Sequence, residues 1–456
     1  MQGREALTDA WTRPSGWLDY DEPGADEEKL IGIAAVLEDA AGVSNIYSLR
    51  CTVTGGYTVD WGDGSAPENV ASNVVAEHTY DWDDLDVSSE YTQNGLTVRQ
   101  ALVTVTPQGA NGFSYFDLIY PYTGYTSGTY LVARWLEWTI ASPTMQRCRF
   151  SYWVANYVTA IWLEHVKILC TNLDSCYYMF HSCWNLRYVD WFDTSQVTSM
   201  AAMFYSCRAL EWIPELDTHL VTTMYYMFSQ CWNIRELPDS FTFPVCTNFD
   251  YFTYYCPQLR RYPAHYTFPA MTDCYGMVRN CFGLLEAPDL GSFAFAADEF
   301  KDHFYNCQSL QSLPSTVYDT SSVTDFTEAF YACYGLSALP LYDTSLVTKF
   351  YRAVYATRGI SYIPAWDMRA ASSLANMYQC FYANRGLAWA DVWGCTYGMD
   401  FSHCNLSREA IMNIIANAGT AAGGAQNLTV TGNPGASDIT AGDQATAAAK
   451  GWTIVT

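Results

Sequence analysis

Met203-Phe204-Tyr205-Ser206-Cys207-Arg208-Ala209-Leu210-Glu211-Trp212-Ile213-Pro214 is the stretch that decides the fold, because the chain repeats its skeleton many times. The skeleton Met-Phe-x-x-Cys-x-x-Leu-x-x-Ile-Pro opens at Met179-Phe180-x-x-Cys183-x-x-Leu186. It returns as Met227-Phe228-x-x-Cys231-x-x-Ile234-x-x-Leu237-Pro238, and again around Phe304/Cys307/Leu310/Leu313/Pro314 and Phe330/Cys333/Leu336/Leu339/Pro340. Cys183, Cys207, Cys231, Cys256, Cys281, Cys307 and Cys333 are spaced 24, 24, 25, 25, 26 and 26 residues apart. Thr357 and Asn384 then take the cysteine slot. Self-similarity at this period predicts a solenoid, whose coils bury their apolar faces only by stacking on neighbours.

Other positions repeat in register with the slot. Seven residues before it stand Cys176, Met200, Met224, Phe249, Cys274, Phe300, Phe326, Phe350 and Met377. Cysteine thus alternates with Met and Phe, which reads as a small buried hydrophobe rather than a reactive thiol or metal ligand. Leu210-x-x-Ile213-Pro214-x-Leu216 reads as a short strand. Asp193-Thr194-Ser195, Asp319-Thr320-Ser321 and Asp343-Thr344-Ser345 read as the corner that follows it, their side-chain oxygens holding backbone N–H groups. At about 4.8 Å per strand, nine coils would span about 40 Å.

Composition narrows the function. The 456 residues hold 23 basic and 47 acidic side chains, a formal charge of −24, which argues against a nucleic-acid partner. Only 15% of residues are charged and half are hydrophobic, so the chain is not a disordered acidic tail. No run of about 18 apolar residues predicts a membrane span, and Met1 to Asp21 lacks the pattern of a signal peptide. CxxC, HExxH, GxSxG and P-loop patterns are absent from the sequence, and stacked coils bring corner aspartates together without any catalytic demand. The expectation is a non-enzymatic protein with no cofactor. Asp81, Asp83, Asp84 and Asp86 are a weak calcium candidate, the alternative being a solvated loop.

The repeat resembles the roughly 26-residue leucine-rich repeat of bacterial surface antigens and mycoplasma lipoproteins, over about residues 165 to 395. That resemblance implies a leucine-rich-repeat solenoid used in adhesion and surface recognition. Ahead of it, Trp61-Gly62-Asp63-Gly64 with His78-Thr79-Tyr80 resembles the turn of polycystic-kidney-disease-type β-sandwiches, which implies a spacer or binding module. Behind it, Gly432-Asn433-Pro434-Gly435 and Ala449-Lys450-Gly451-Trp452-Thr453 resemble the ends of repeat proteins encoded by tailed bacteriophages.

The expected fold is mainly β with short helices, a leucine-rich-repeat solenoid preceded by a β-sandwich. Residues 1–107 form the sandwich, 108–165 a β-rich linker and N-terminal cap, 166–404 about nine coils, and 405–456 a C-terminal cap. Within the last, Ser407 opens a helix through Ile411, Ile414 and Ile415, and a second, Ala-rich helix covers 444–450.

Tyr188, Trp191, Trp212, Tyr262, Tyr266, Tyr318, Tyr342, Tyr362, Trp366 and Trp389 lie on the strand side, and few recur at ladder positions. They are the candidate ligand-binding residues, since aromatic faces stack on sugars and are also enriched at protein interfaces. A separate tyrosine column six before the slot (Tyr177, Tyr225, Tyr275, Tyr351, Tyr378) reads as a packed outer face. The phage resemblance implies a virion-surface protein, assembled in the host cytoplasm, acting as a tail fibre or receptor-binding protein. Its partners would be a host cell-surface glycan or protein and other virion proteins. Capsid or tail decoration and glycan depolymerisation are the alternatives. Homo-oligomerisation stays open, without coiled-coil heptads to enforce it.

Overall fold

A computed structural model of the chain describes residues 12–38, 45–93, 95–118, 134–150, 162–291, 293–314 and 318–456. Two compact units emerge. The first holds the chain up to Val221 together with Gln230–Asn233 and Pro238–Phe241; the second holds Thr222–Ser229, Ile234–Leu237 and Thr242–Thr456.

The first unit is built on two sheets. Strands β1 (Lys29–Leu37), β3 (Tyr57–Asp60), β4 (Glu68–Val70), β6 (Tyr91–Gln93), β7 (Leu96–Pro107) and β9 (Trp135–Ala141) belong to one. Strands β2 (Ile46–Thr52), β5 (Val75–Thr79), β8 (Tyr115–Leu118) and β10 (Arg147–Arg149) form the other. Trp61, Trp135, Trp138, Tyr47, Tyr57 and Phe116 are fully buried here, each worth about 2–3 kcal/mol of burial. The close packing needs Gly32 in β1, where a Cβ would lie 2.5 Å from the Trp138 ring. In the Trp-Gly-Asp-Gly turn, Trp61 stacks on His78 at 5.0 Å, and Asp63 meets the His78 ring at 2.6 Å.

Segment 108–165, read as a β-rich linker and N-terminal cap, supplies β8 and β10 to the smaller sheet and β9 to the larger. Of its apolar runs, Ile119 and Tyr120 lie outside the described residues. The larger sheet then runs directly into the coils. β11 (His165–Ile168) pairs parallel with β9, and β12 (Tyr188–Val189) pairs parallel with β11. The first coils are therefore closed by backbone pairing to a sandwich strand, which removes the exposed edge an open solenoid end would carry.

Coil-to-coil hydrogen bonding is densest on the Met-Phe-x-x-Cys arc rather than on the strand side. The N–H groups of Cys176, Tyr178, Phe180 and Ser182 donate to the carbonyls of Ser199, Ala201, Met203 and Tyr205. In the second unit Phe326, Glu328, Phe330 and Ala332 repeat this against Lys349, Tyr351, Ala353 and Tyr355. The arc turns because residues five and one before the slot adopt positive φ: Tyr178 and Ser182, Glu328 and Ala332, Arg352 and Ala356. Left-handed non-glycine residues cost about 1–2 kcal/mol each, offset by four inter-coil bonds of about 1 kcal/mol.

On the strand side, the expected strands at positions such as Leu210 to Leu216 are mostly extended segments without a ladder. In the second unit Arg260, Leu285 and Gln311 each donate one backbone bond, to Arg235, Arg260 and Leu285 respectively. Pro263, Pro288 and Pro314 follow closely and have no N–H to extend the pairing. Among the described residues of the coils, a strand pair returns at β13 (Tyr362–Asp367) and β14 (Trp389–Trp393). Corners behave as their residues dictate. Asp193, Asp319 and Asp343 each accept from the N–H two residues on, at 2.9–3.0 Å. Thr194 Oγ1 donates to Asp217 O and accepts from Asp217 N, tying one coil to the next.

The slot cysteine is more than a small hydrophobe. All sixteen cysteines are buried and none forms a disulfide. Cys207 Sγ donates to Phe180 O, Cys256 to Phe228 O and Cys333 to Phe304 O, each at 3.0 Å. Thr357 Oγ1 does the same to Phe330 O at 2.5 Å, whereas Asn384 Nδ2 donates within its own coil, to Phe381 O at 2.8 Å. The slot favours a compact donor, and Thr357 replaces Cys there with the same inter-coil bond. Burial drives the Cys281 thiol up to about 11 and the Cys183, Cys207, Cys231, Cys307 and Cys333 thiols higher still, so none of these is a thiolate.

The second unit ends in β15 (Met399–Asp400), β16 (Gln426–Thr429) and β17 (Trp452–Val455), a parallel sheet with helices α1 (Arg408–Asn417) and α2 (Ala441–Ala448). Ser407 Oγ accepts from Ala410 N, as its position predicts. The second helix starts before the expected 444, because Thr440 and Asp443 form a capping box and Arg408 clasps Asp443 at 2.7 and 2.8 Å. No helix among the described residues is long and apolar enough to cross a membrane.

Candidate functional site

The ten candidate aromatics separate by burial. Tyr318, Tyr342 and Trp366 are core residues, at most 2% exposed, and offer no face to a ligand. They pack under the arc phenylalanines: Tyr318 on Phe304 at 6.2 Å, Tyr342 on Phe330 at 5.9 Å, Trp366 on Phe350 at 5.9 Å. Tyr262 and Tyr266 are also buried, but their edges line a surface cavity of about 260 Å³ with Phe268, Glu286, Asp289 and Ser312. The Tyr262 hydroxyl is already engaged with Thr253 Oγ1 at 2.7 Å.

The remaining five form two surface platforms, one in each unit. In the first unit, register places Glu137, His165 and Tyr188 side by side on successive strands. His165 Nδ1 lies 2.8 Å from Glu137 Oε1, and its Nε2 lies 3.4 Å from Asp190. Burial pulls the His165 pKa down, but hydrogen bonds and charge from Asp190 and Glu137 outweigh it, so the net shift is upward. The imidazole is thereby locked, and it supports a stack: His165 to Tyr188 at 5.9 Å, then Tyr188 to Trp212 at 5.0 Å and 15°. Trp212 is 39% exposed and Trp191, three residues from Tyr188, is 64% exposed.

The second unit's platform is braced by a carboxylate. Tyr362 pairs with Trp389 across β13 and β14. The Tyr362 hydroxyl donates to Asp391 Oδ2 at 2.6 Å, Trp389 Nε1 to Oδ1 at 2.8 Å, and Asn413 Nδ2 to Oδ1 at 3.2 Å. Burial raises the Asp391 pKa, and these three donors more than reverse it, so the carboxylate stays ionised. Trp393, 54% exposed, stands on the same outward face of β14 as Trp389 and Asp391. Sequence reasoning missed Trp393, Asp391, His165 and Glu137. The alternation Trp389-x-Asp391-x-Trp393 was the signal for the first two.

The acidic cluster is spoken for in part. Asp81 and Asp86 cap two short turns, accepting from Asp83 N and Ser88 N, while Asp83 and Asp84 face solvent. Among the described residues no group of three or more such ligands converges as a metal site. The tyrosine surplus has a structural outlet two residues before the slot, where Tyr305, Tyr331, Tyr355 and Tyr382 stack at 4.8, 4.9 and 5.3 Å. In the column six before the slot, by contrast, Tyr177 and Tyr378 are exposed.

A family described as "Mycoplasma protein of unknown function, DUF285" matches residues 174–287 and 297–389, a little under half of the chain and all within the repeat. Among solved structures the chain is similar to a leucine-rich repeat protein from Bacteroides ovatus ATCC 8483, at 14% identity and a TM-score of 0.26. The match covers 71% of this chain and 91% of that one. A superposition of that quality carries no argument about function. No curated protein matches the chain. The protein is a β-rich repeat protein of the leucine-rich-repeat kind, on the testimony of its own coils.

Proposed function

We propose that this is a non-enzymatic recognition protein of a bacteriophage virion, a tail fibre or receptor-binding protein that engages a host surface glycan or protein. The glycan is the ligand favoured. The observation that supports it is the Asp391-braced platform, where hydrogen bonds hold Tyr362 and Trp389 and the exposed Trp393 stands beside Trp389 on the same strand face. Rings fixed in this way stack on a pyranose with little ordering cost, and the free lone pair of Asp391 is available to a hydroxyl. Resemblance of the C-terminal phrases to the ends of phage repeat proteins supports the virion setting. A polycystic-kidney-disease-like sandwich would then act as the spacer.

Exposed Leu341, Leu346 and Leu374 favour a second reading, in which an apolar face meets another virion subunit as decoration. Labelled protein on host cells separates the two. Saturable binding that disappears after glycan stripping supports recognition. Absence of cell binding, with tight binding to particles lacking the protein, supports decoration. Release of oligosaccharides from host polysaccharide would overturn the non-enzymatic part.

A further inference from the structure

One arginine in the first unit is stacked on both faces by tryptophan. The Arg208 guanidinium lies between two indoles, 4.2 Å from the Trp184 ring and 4.4 Å from the Trp232 ring. These three residues each follow the cysteine slot directly, in successive coils, so the clamp is produced by the repeat itself. Several other arginines meet acids instead, Arg147 with Asp174, Arg279 with Asp302, Arg352 with Glu328, Arg369 with Asp367 and Arg408 with Asp443, while Arg358 is stacked on one face only, over Tyr334 at 4.8 Å. Among the described residues Arg208 finds no acceptor and no acid partner, in a protein of formal charge −24. Its Nε and the Trp184 Nε1 are shut from solvent with no acceptor.

Stacking both faces of a guanidinium leaves only its edge, and that edge matches a carboxylate or sulfate through two parallel hydrogen bonds. The indoles fix the side chain, so binding an anion costs little rotamer entropy. They also strip water from the cation, which strengthens its pull. Trp232 is itself 38% exposed, which places an aromatic face beside the cationic edge. Sugar ring and acid group are then recognised by neighbouring surfaces.

We infer that the Trp184–Arg208–Trp232 clamp is an anion-reading subsite, and that the glycan recognised is an acidic polysaccharide bearing carboxylate or sulfate groups. This deepens the recognition reading and rests on it. The test uses the full chain in calorimetric titrations with oligogalacturonate, a sulfated galactan, neutral galactan and poly-glutamate as probes. Arg208→Lys keeps the charge without the forked edge, and Arg208→Gln removes the charge.

The expected result is binding of an acidic saccharide at least tenfold tighter than neutral galactan, weakening with salt. Arg208→Lys loses about tenfold and Arg208→Gln loses the preference entirely, while neutral-sugar binding is unchanged. Carboxylate and sulfate probes separate the two anion sources. Equal binding of acidic and neutral saccharides, or a preference untouched in both variants, overturns the subsite but leaves the glycan reading standing. Arg208-dependent binding of poly-glutamate alone, or no saccharide binding at all, overturns both. Circular dichroism of the variants checks the fold, and the neutral-sugar affinity of Arg208→Lys reports independently on an intact surface.

Discussion

Replacing Thr357 by Val separates two accounts of the slot that orders the coils. Thr357 is fully buried, and its hydroxyl donates to Phe330 O at 2.5 Å, an oxygen that among the described residues has one backbone donor, Cys333 N at 3.4 Å. Valine matches threonine in volume but donates nothing. Losing the bond and leaving the buried carbonyl under-satisfied costs about 2–3 kcal/mol, and the added apolar burial returns about 1 kcal/mol. The net expectation is a loss of about 1.5 kcal/mol, roughly tenfold in the local folding equilibrium. A slot that wanted only a hydrophobe would instead gain about 1 kcal/mol. Cys333 gives the complementary test. Cys333→Ala removes the Sγ donor to Phe304 O and leaves a cavity of sulfur size, together about 2 kcal/mol. Cys333→Ser keeps a donor and loses about half of that. Urea titrations followed by circular dichroism read the order, and hydrogen exchange at Phe326 to Ala332 locates it. A stabilised Thr357→Val, or Ser worse than Ala at 333, refutes the donor account.

Other consequences are equally direct. The His165 pKa is raised in the fold, so its stabilisation is complete below its ordinary value near 6.5 and is lost as pH rises through the raised folded value. The stability of the first unit should therefore decline from about pH 6.5 upward, and His165→Gln should flatten that slope; an unchanged slope contradicts the Glu137–His165–Asp190 bridge. Trp366→Ala should destabilise the second unit by about 3–5 kcal/mol, whereas Trp393→Ala should leave its urea midpoint unchanged. Equal midpoints for the two would contradict the division between core and platform. Iodoacetamide should modify none of the sixteen buried thiols in the native protein within minutes and all of them in urea, as read by mass spectrometry; rapid native labelling would show an open ladder.

The solenoid was legible because each coil copies the same buried positions, so Phe180, Cys207 and Leu210 announce themselves by recurrence. What recurrence hides is why a residue is there. Cysteine among Met and Phe looked apolar, yet Thr357 and Asn384 in its slot already pointed to a donor. Strand length was overestimated because the proline after each Leu-x-x-Leu phrase ends pairing before a ladder can form. Burial of Trp366 and Tyr342 also had a signature: nine residues after the slot stand Phe192, Leu216, Tyr342 and Trp366, one inward column with variable size. The platforms were partly visible, since Tyr188, Trp212, Tyr362 and Trp389 fall outside the ladder. Their supports were not, because Glu137 meets His165 only through pairing of a sandwich strand with a coil. The β13–β14 pair likewise shifts register between Ile363 and Trp366, and at that end the position nine after the slot, Trp393, is exposed rather than inward.

The central claim is that exposed, braced aromatics make this solenoid a sugar-binding surface. The most direct measurement is the affinity of the full chain for a panel of immobilised bacterial surface polysaccharides, compared with Trp393→Ala and Trp191→Ala. The account predicts saturable binding to at least one polysaccharide, weakened tenfold or more by either substitution at unchanged stability. Binding that survives both substitutions, or no binding by the wild-type chain to any polysaccharide of its host, would contradict it.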